Sequence, residues 1–185
     1  SKHGGDGTDL IAHSGPLNSV SWSHDSSLIL TAGADRAAYL WSSGKAEPLL
    51  CMSHVDRKNN QQDPRPNQAF NSEIKAACFL YLDRFILLAC GAKVHLYKYS
   101  VNMEEKDDLK RLENNSKYKC VGTYASSGQS ITGMTCANAF LSNVALCASS
   151  NRSVEVLDLG VGRWIRCITE AHSRPVHTIV LNSAS

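Results

Sequence analysis

A chain of 185 residues that is 43% hydrophobic and 19% charged has the composition of a globular protein and not of a disordered one. Its 19 basic and 17 acidic side chains leave a net charge of +2, which is too small for nucleic acid or an anionic membrane to be the main partner. Because no apolar run approaches the ~20 residues of a membrane span and the opening SKHGGDGTDLIA lacks a signal-like apolar centre, we expect an intracellular, cytoplasmic protein.

The first predicted unit spans residues 13–52 and opens on the tripeptide Ala-His-Ser at 12–14. Its apolar and polar residues alternate between short turn-forming stretches, which is the pattern of β-strands. The predicted strands cover 17–23, 28–34, 36–42 and 49–52. Residues 53–71 contain two prolines and no hydrophobic periodicity, so they are expected to form an exposed insertion.

The second predicted unit, 73–124, is the most apolar part of the chain and contains a second polar insertion at 101–116. The composition of that insertion fits either a short helix or a solvated loop. A third unit covers 130–169, after which the tripeptide Ala-His-Ser returns at 171–173. The start of a further unit is therefore expected over 172–185.

Three turns repeat in the same register along the chain. Each follows an apolar strand and precedes another, and the turn residues are Asp35, Gly91 and Asn151. The strands that leave these turns end on Trp41, Tyr97 and Leu157. Asp, Gly and Asn suit tight turns, and many short strands at even spacing predict an all-β repeat protein.

The first unit also carries a set of polar residues at fixed positions. His13 lies in its entering loop, Thr31 on its second strand and Asp35 in the turn, with Trp41 on the third strand. The set resembles the signature of the WD40 family. The resemblance implies that His13 bridges the Asp35 carboxylate and the Thr31 hydroxyl, and that this hydroxyl meets the Trp41 indole N–H.

The resemblance also implies a fold and an incomplete ring. The expected fold class is all-β: a WD40-type β-propeller fragment of about three four-stranded antiparallel blades plus the start of a fourth. Each blade needs neighbours on both faces, so the remaining blades are expected from sequence outside these residues.

A histidine, an aspartate and a hydroxyl could instead form a hydrolase triad. Thr31, however, is predicted on a buried strand without a nucleophile elbow, and the other units lack the set. The second unit has Leu87 and Tyr97 where the first has Thr31 and Trp41, and the third has Cys147 and Leu157. We therefore expect no catalytic residues and interpret the set as structural.

No cofactor or metal site is expected from the remaining motifs. The chain has no phosphate-binding loop, and no pair of its seven cysteines has the two-to-four-residue spacing of a zinc site. Most of these cysteines fall within apolar strands, where they are expected to be reduced, structural thiols. His172 and His177 fit a strand-entry residue and a surface residue better than a pair of ligands.

The predicted function is a non-enzymatic scaffold for protein–protein interaction, with unknown protein partners and neither nucleic acid nor membrane. The candidate contact residues are the insertion cations Arg57, Lys58, Arg65, Lys110 and Arg111. One alternative is an enzyme or small-ligand binder that uses the axial channel of the complete propeller, which clustered polar groups in that channel would indicate. Another is a truncated isoform without independent function, which a broad melting transition would indicate.

Overall fold

A computed structural model describes residues 7–53, 70–101, 117–128 and 130–181, and these residues form twelve strands in three sheets. Blade 1 consists of β1 (Leu17–Trp22), β2 (Leu28–Gly33), β3 (Ala37–Ser42) and β4 (Pro48–Ser53). Blade 2 consists of β5 (Ile74–Leu80), β6 (Phe85–Cys90), β7 (Lys93–Ser100) and β8 (Lys117–Ala125). Blade 3 consists of β9 (Ile131–Cys136), β10 (Val144–Ser149), β11 (Val154–Asp158) and β12 (Arg163–Ile168).

Each blade is an antiparallel meander in which strands adjacent in sequence pair with one another. The blades stand side by side in chain order, because β1 contacts β5 and β5 contacts β9. The first strand of each blade therefore forms the row along which the blades meet. The prediction of three four-stranded antiparallel sheets is confirmed.

Burial follows the position of a strand within its blade. All of β3 is buried except its last residue, because one of its faces packs into the core between blades 1 and 2 and the other is covered by Leu10 and Ala12 of the entering loop. In contrast, β8 alternates strictly between exposed and half-buried residues, which is typical of a strand with one face in solvent. The sequence patterns match, since β3 is almost wholly apolar whereas β8 alternates lysine with other residues at its start.

The predicted turn residues shape the connection between the second and third strands of each blade. Gly91 adopts a φ of 58°, a left-handed conformation that glycine accepts without a Cβ penalty. In blade 3, the Asn151 side chain accepts hydrogen bonds from the Ser153 amide and hydroxyl at 3.2 and 2.6 Å. In blade 1, Asp35 accepts a bond from the Ala37 amide at 3.2 Å. The side-chain turns explain why Asp and Asn substitute for glycine here.

Two apolar cores hold the blades together. The core between blades 1 and 2 includes Leu30, Leu40, Met52, Phe70 and Tyr97, all fully buried. The core between blades 2 and 3 includes Leu87, Val94, Ile131, Cys147 and Leu157, also fully buried. Each large apolar side chain removed from water in these cores contributes about 1.5 to 3 kcal/mol.

The two ends of this row of blades remain partly uncovered. On blade 1, Val20 and Trp22 of β1 are 65% and 56% exposed, and on blade 3 Ile168 of β12 is 45% exposed. The predicted start of a further unit lies alongside β9, where the Thr132 hydroxyl donates to the Val176 carbonyl; residues 182–185 lie outside the described residues. No helix among the described residues is long and apolar enough to cross a membrane.

Candidate functional site

The structure brings together the four polar residues that the sequence singles out in blade 1. The His13 Nδ1 atom lies 3.0 and 2.9 Å from the two carboxylate oxygens of Asp35, and its Nε2 atom lies 2.9 Å from the Thr31 hydroxyl. The indole N–H of Trp41 donates to the same hydroxyl at 2.9 Å. The four side chains thus form one continuous hydrogen-bonded chain, called here the blade 1 tetrad.

One arrangement of protons satisfies every member of the tetrad. Because the Asp35 carboxylate only accepts, the His13 Nδ1 atom carries the proton and donates it there. The Thr31 hydroxyl then donates to His13 Nε2 while it accepts from Trp41. Every N–H and O–H donor of the four side chains is then used within the tetrad.

Backbone geometry positions the tetrad. The entering loop lies so close to β2 that a Cβ on Gly33 would come within 2.7 Å of the Pro16 carbonyl and 3.3 Å of His13 Nδ1. Glycine at this position therefore lets the histidine reach the strand. The ring also packs edge-on against Tyr39, with centroids 4.6 Å apart.

The electrostatics of the tetrad favour an ionised Asp35. Burial opposes its charge, but hydrogen bonds from His13 and from the Ser14 amide outweigh burial and hold the pKa of the Asp35 carboxyl below its usual value. The His13 and Asp35 side chains are only 8% and 6% exposed, and Thr31 and Trp41 are 4% and 0% exposed. All four members of the tetrad are thus nearly excluded from solvent.

Blade 2 buries a different polar residue on the corresponding third strand. His95 follows Gly91 by the same spacing that separates Tyr39 from Asp35, and its Nδ1 atom lies 3.0 Å from the Thr123 hydroxyl. Burial, with a smaller contribution from Lys93, lowers the pKa of His95 to about 4. Among the described residues its Nε2 atom has no hydrogen-bond partner.

Blade 3 places a carboxylate at the equivalent point. Glu155, which is 1% exposed, accepts hydrogen bonds from the Ser126 and Ser127 hydroxyls and from the Ser127 amide at 3.1 Å. These serines belong to the loop that connects blades 2 and 3. A groove beside them is lined by Ala125, Trp164 and Cys167, and the Trp164 indole donates to the Ala125 carbonyl at 2.6 Å.

Sequence reasoning missed Glu155, although a signal existed. The residue four positions after each turn is polar or amphipathic in all three units: Tyr39, His95 and Glu155. A search restricted to the His, Thr, Asp and Trp pattern does not find Glu155, because blade 3 has a polar residue at the same position as the other blades but of a different chemical type.

A second missed cluster joins all three blades at the opposite edge from the tetrad. The Asp83 carboxylate accepts from the His24 amide at 2.9 and 2.8 Å and from the Asn138 side chain at 2.6 Å. The Asp83 carbonyl accepts from the Tyr99 hydroxyl at 2.5 Å. Asp83 therefore connects blade 2 to both neighbours. Its turn is strained, because Tyr81, Leu82 and Asp83 all have positive φ values, of 55°, 50° and 63°.

The predicted contact residues all lie in the two insertions. Arg57, Lys58 and Arg65, and with them most of the predicted insertion 53–71, lie outside the described residues, as do Lys110, Arg111 and nearly all of the insertion 101–116. The described flanks show that the two insertions leave opposite edges of the blades, since one follows β4 and the other follows β7. In the part of the chain that the structure describes, no group of three or more His, Cys, Asp or Glu residues could hold a metal ion.

Comparison with solved structures identifies the fold. The RRP9 WD40 repeats and U3-55K each match with a TM-score of 0.65 and 13% sequence identity, over 91% of this chain and 43% of theirs. A chain of the mitotic checkpoint complex matches with a TM-score of 0.64 and 13% identity, over 91% of this chain and 44% of its own. No protein-family model matches the sequence. The chain thus has a WD40-type β-propeller fold, as predicted, and spans less than half the length of these structures.

Proposed function

We propose that the chain is part of a WD40-repeat protein that serves as a non-enzymatic scaffold for protein–protein interaction. The observation that carries this proposal is the closed state of the blade 1 tetrad. Its histidine, carboxylate and hydroxyl are the groups a hydrolase would use, yet they are bonded to one another and nearly excluded from solvent. An active site needs at least one of these groups to face its substrate.

The open ends of the row of blades support a larger assembly. Val20 and Trp22 belong to the face of blade 1 that has no neighbouring blade, and they are more than half exposed. The chain segment after 171 repeats the start of blade 1 and already lies against β9. In this proposal, blades supplied by sequence outside the 185 residues cover both faces.

A closer relationship is proposed on three segments of sequence. Residues 85–88 (FILL), 151–159 (NRSVEVLDL) and 170–177 (EAHSRPVH) resemble the C-terminal half of WD repeat-containing protein 27. That resemblance implies a longer parent with further WD repeats. An intracellular, cytoplasmic location is part of the same proposal, and the burial of Cys90 and Cys147 as thiols within strands suits a reducing compartment.

Protein partners are proposed to bind at the insertions. Arg57, Lys58 and Arg65 would form one contact surface and Lys110 with Arg111 the other, on opposite edges of the blades. One structure with this fold is a chain of the mitotic checkpoint complex, so the fold is compatible with assembly into a multiprotein complex. Loops that vary on a rigid sheet framework are the usual binding elements of such folds.

Affinity purification with matched charge variants tests the proposal. The full-length protein is compared with an Arg57→Glu, Lys58→Glu, Arg65→Glu variant and with a Lys110→Glu, Arg111→Glu variant. We expect at least one variant to lose a partner that the wild type recovers reproducibly. The control is Lys45→Glu, a charge reversal at an exposed residue of the turn between β3 and β4.

Two results would contradict the scaffold proposal. One is that the wild type recovers no reproducible partner. The other is that both insertion variants and the Lys45→Glu control recover the same partners as the wild type.

A further inference from the structure

Two thiols lie between the first strands of blades 2 and 3. Cys78 on β5 donates to the Met134 carbonyl on β9 at 3.6 Å, and Cys136 on β9 donates to the Phe79 carbonyl on β5 at 3.2 Å. Each thiol thus reaches across to the strand that carries the other. Both side chains pack against the core between blades 2 and 3, and both residues are half-buried.

The two thiols also affect each other's ionisation. Once Cys78 is ionised, a hydrogen bond from the Cys136 thiol stabilises the thiolate and so lowers the pKa of Cys78 despite its burial. The same hydrogen bond, together with burial, raises the pKa of Cys136. Such asymmetry is the condition in which one thiol of a pair acts as the nucleophile and the other as the resolving thiol.

The corresponding place between blades 1 and 2 has different chemistry. There the hydroxyls of Ser19 and Ser21 on β1 donate to the Ala77 carbonyl on β5 at 3.3 and 3.1 Å. Serine makes the same kind of contact across the row of first strands but cannot be oxidised. The junction between blades 2 and 3 is therefore distinguished by paired thiols and not by its backbone arrangement.

We propose that Cys78 and Cys136 form a reversible disulfide that links blade 2 to blade 3 when the protein meets hydrogen peroxide. The Cys78 thiolate attacks one oxygen of the peroxide, which gives a sulfenic acid and, after protonation, one water. The Cys136 sulfur then attacks the sulfenic sulfur, the S–S bond forms, and a second water leaves. The two thiols lose two electrons and two protons, and one peroxide is reduced to two waters.

A disulfide between Cys78 and Cys136 would link blades 2 and 3 covalently and raise the stability of the folded protein. Cys78 and Cys136 belong to different blades, and the rest of blade 2 lies between them in sequence. A cross-link that closes so long a loop restricts the unfolded chain, so the oxidised protein resists unfolding more than the reduced protein. Thiol reductants reverse it.

Disulfide mapping of the full 185-residue chain tests the pairing. The chain is treated with hydrogen peroxide in native buffer and in urea, alkylated, and digested with chymotrypsin. This protease cleaves after Tyr124 and Phe140, which separates Cys136 from Cys120 and Cys147. We expect the Cys78–Cys136 peptide to dominate all other pairings in native buffer, to lose that dominance in urea, and to disappear after reduction.

A different native pairing of cysteines would contradict the proposal. Cys147 is fully buried in the same core, and burial raises the pKa of its thiol to about 12. A dominant native pairing of Cys147 with either neighbour would overturn the assignment. The same distribution of linkages in native buffer and in urea would overturn it as well.

Thermal unfolding gives a second readout with matched variants. Cys78→Ser and Cys136→Ser keep a hydroxyl donor like that of Ser19 and Ser21, whereas Cys167→Ser changes an exposed thiol on β12. Peroxide should raise the unfolding midpoint of the wild type and of Cys167→Ser, and this rise should be lost in the other two variants. An equal rise in Cys136→Ser would show that the linkage does not involve this pair.

Discussion

Blades 1 and 2 each have a histidine on or beside their third strand, but the two rings have different hydrogen-bond partners. In blade 1, both nitrogens of His13 have partners, and the ring joins the turn carboxylate of Asp35 to the Thr31 hydroxyl. In blade 2, the Nδ1 atom of His95 contacts the Thr123 hydroxyl, and the ring lies 6.4 Å from that of Tyr97. The first ring connects polar groups within a blade, whereas the second is only 3% exposed and is held neutral by its burial.

All three units have a place for a buried polar or amphipathic side chain four residues after the turn, occupied by Tyr39, His95 and Glu155, but the groups around that place differ. Blade 1 closes a chain of four groups around that place, and blade 3 fills it with Glu155 and two serines. The blades remain alike because their strands, turns and apolar cores are alike. Their sensitivities to pH and to substitution should nevertheless differ.

The largest effect should be a loss of folding stability in acid that originates from His95 in blade 2. The pKa of His95 is lowered to about 4 in the folded protein, whereas an unfolded histidine titrates at about 6.5. Between these values the unfolded chain binds more protons than the folded chain, so stability falls as the pH is lowered. We expect a loss of about 2 to 3 kcal/mol between pH 7 and pH 4, measured by urea denaturation.

Single substitutions separate the pH dependence of stability that His95 causes in blade 2 from the one that Asp35 causes in blade 1. His95→Leu should abolish most of the loss between pH 6.5 and 4, and His24→Gln, at an exposed histidine, should retain it. The lowered pKa of Asp35 acts in a different window: its contribution is present above its unfolded pKa and is lost only below about pH 4. An unchanged pH profile in His95→Leu would contradict the assignment to blade 2.

The next effect should come from breaking the blade 1 tetrad at its centre. Thr31→Val keeps the shape of the side chain but removes the acceptor of the fully buried Trp41 N–H and the partner of His13 Nε2. Leaving such groups unpaired should cost about 2 kcal/mol of unfolding free energy. Urea denaturation at neutral pH measures the loss.

The control for this prediction is the same substitution at an exposed threonine. Thr178→Val should change stability by less than about 0.5 kcal/mol. If Thr31→Val has as small an effect as Thr178→Val, the tetrad does not stabilise blade 1, and its closed geometry loses its value as an argument against catalysis.

The sequence was sufficient for features that repeat along the chain. Strand alternation and the turns at Asp35, Gly91 and Asn151 predicted the sheets, because local patterns determine which residues pair within a blade. The contacts of Asp83 with His24 and Asn138 were not predictable, because they join residues 59 and 55 positions apart in different blades. No repeat of sequence marks them, and they emerge only when the blades are placed side by side.

The smallest effect should be a difference in stability between variants of two buried carboxylates, Asp35 and Glu155, which accept hydrogen bonds from different kinds of donor. Asp35 accepts from the rigid amides of Ser14 and Ala37 as well as from His13. Glu155 accepts from one amide and two hydroxyls, and hydroxyls can rotate to another acceptor. We therefore expect Glu155→Gln to cost about 1 kcal/mol and Asp35→Asn to cost more, because fixed donors cannot adapt to an amide. Urea denaturation of both variants measures the order, and a greater loss in Glu155→Gln would show that the carboxylate of blade 3 holds its blade more firmly than the tetrad holds blade 1.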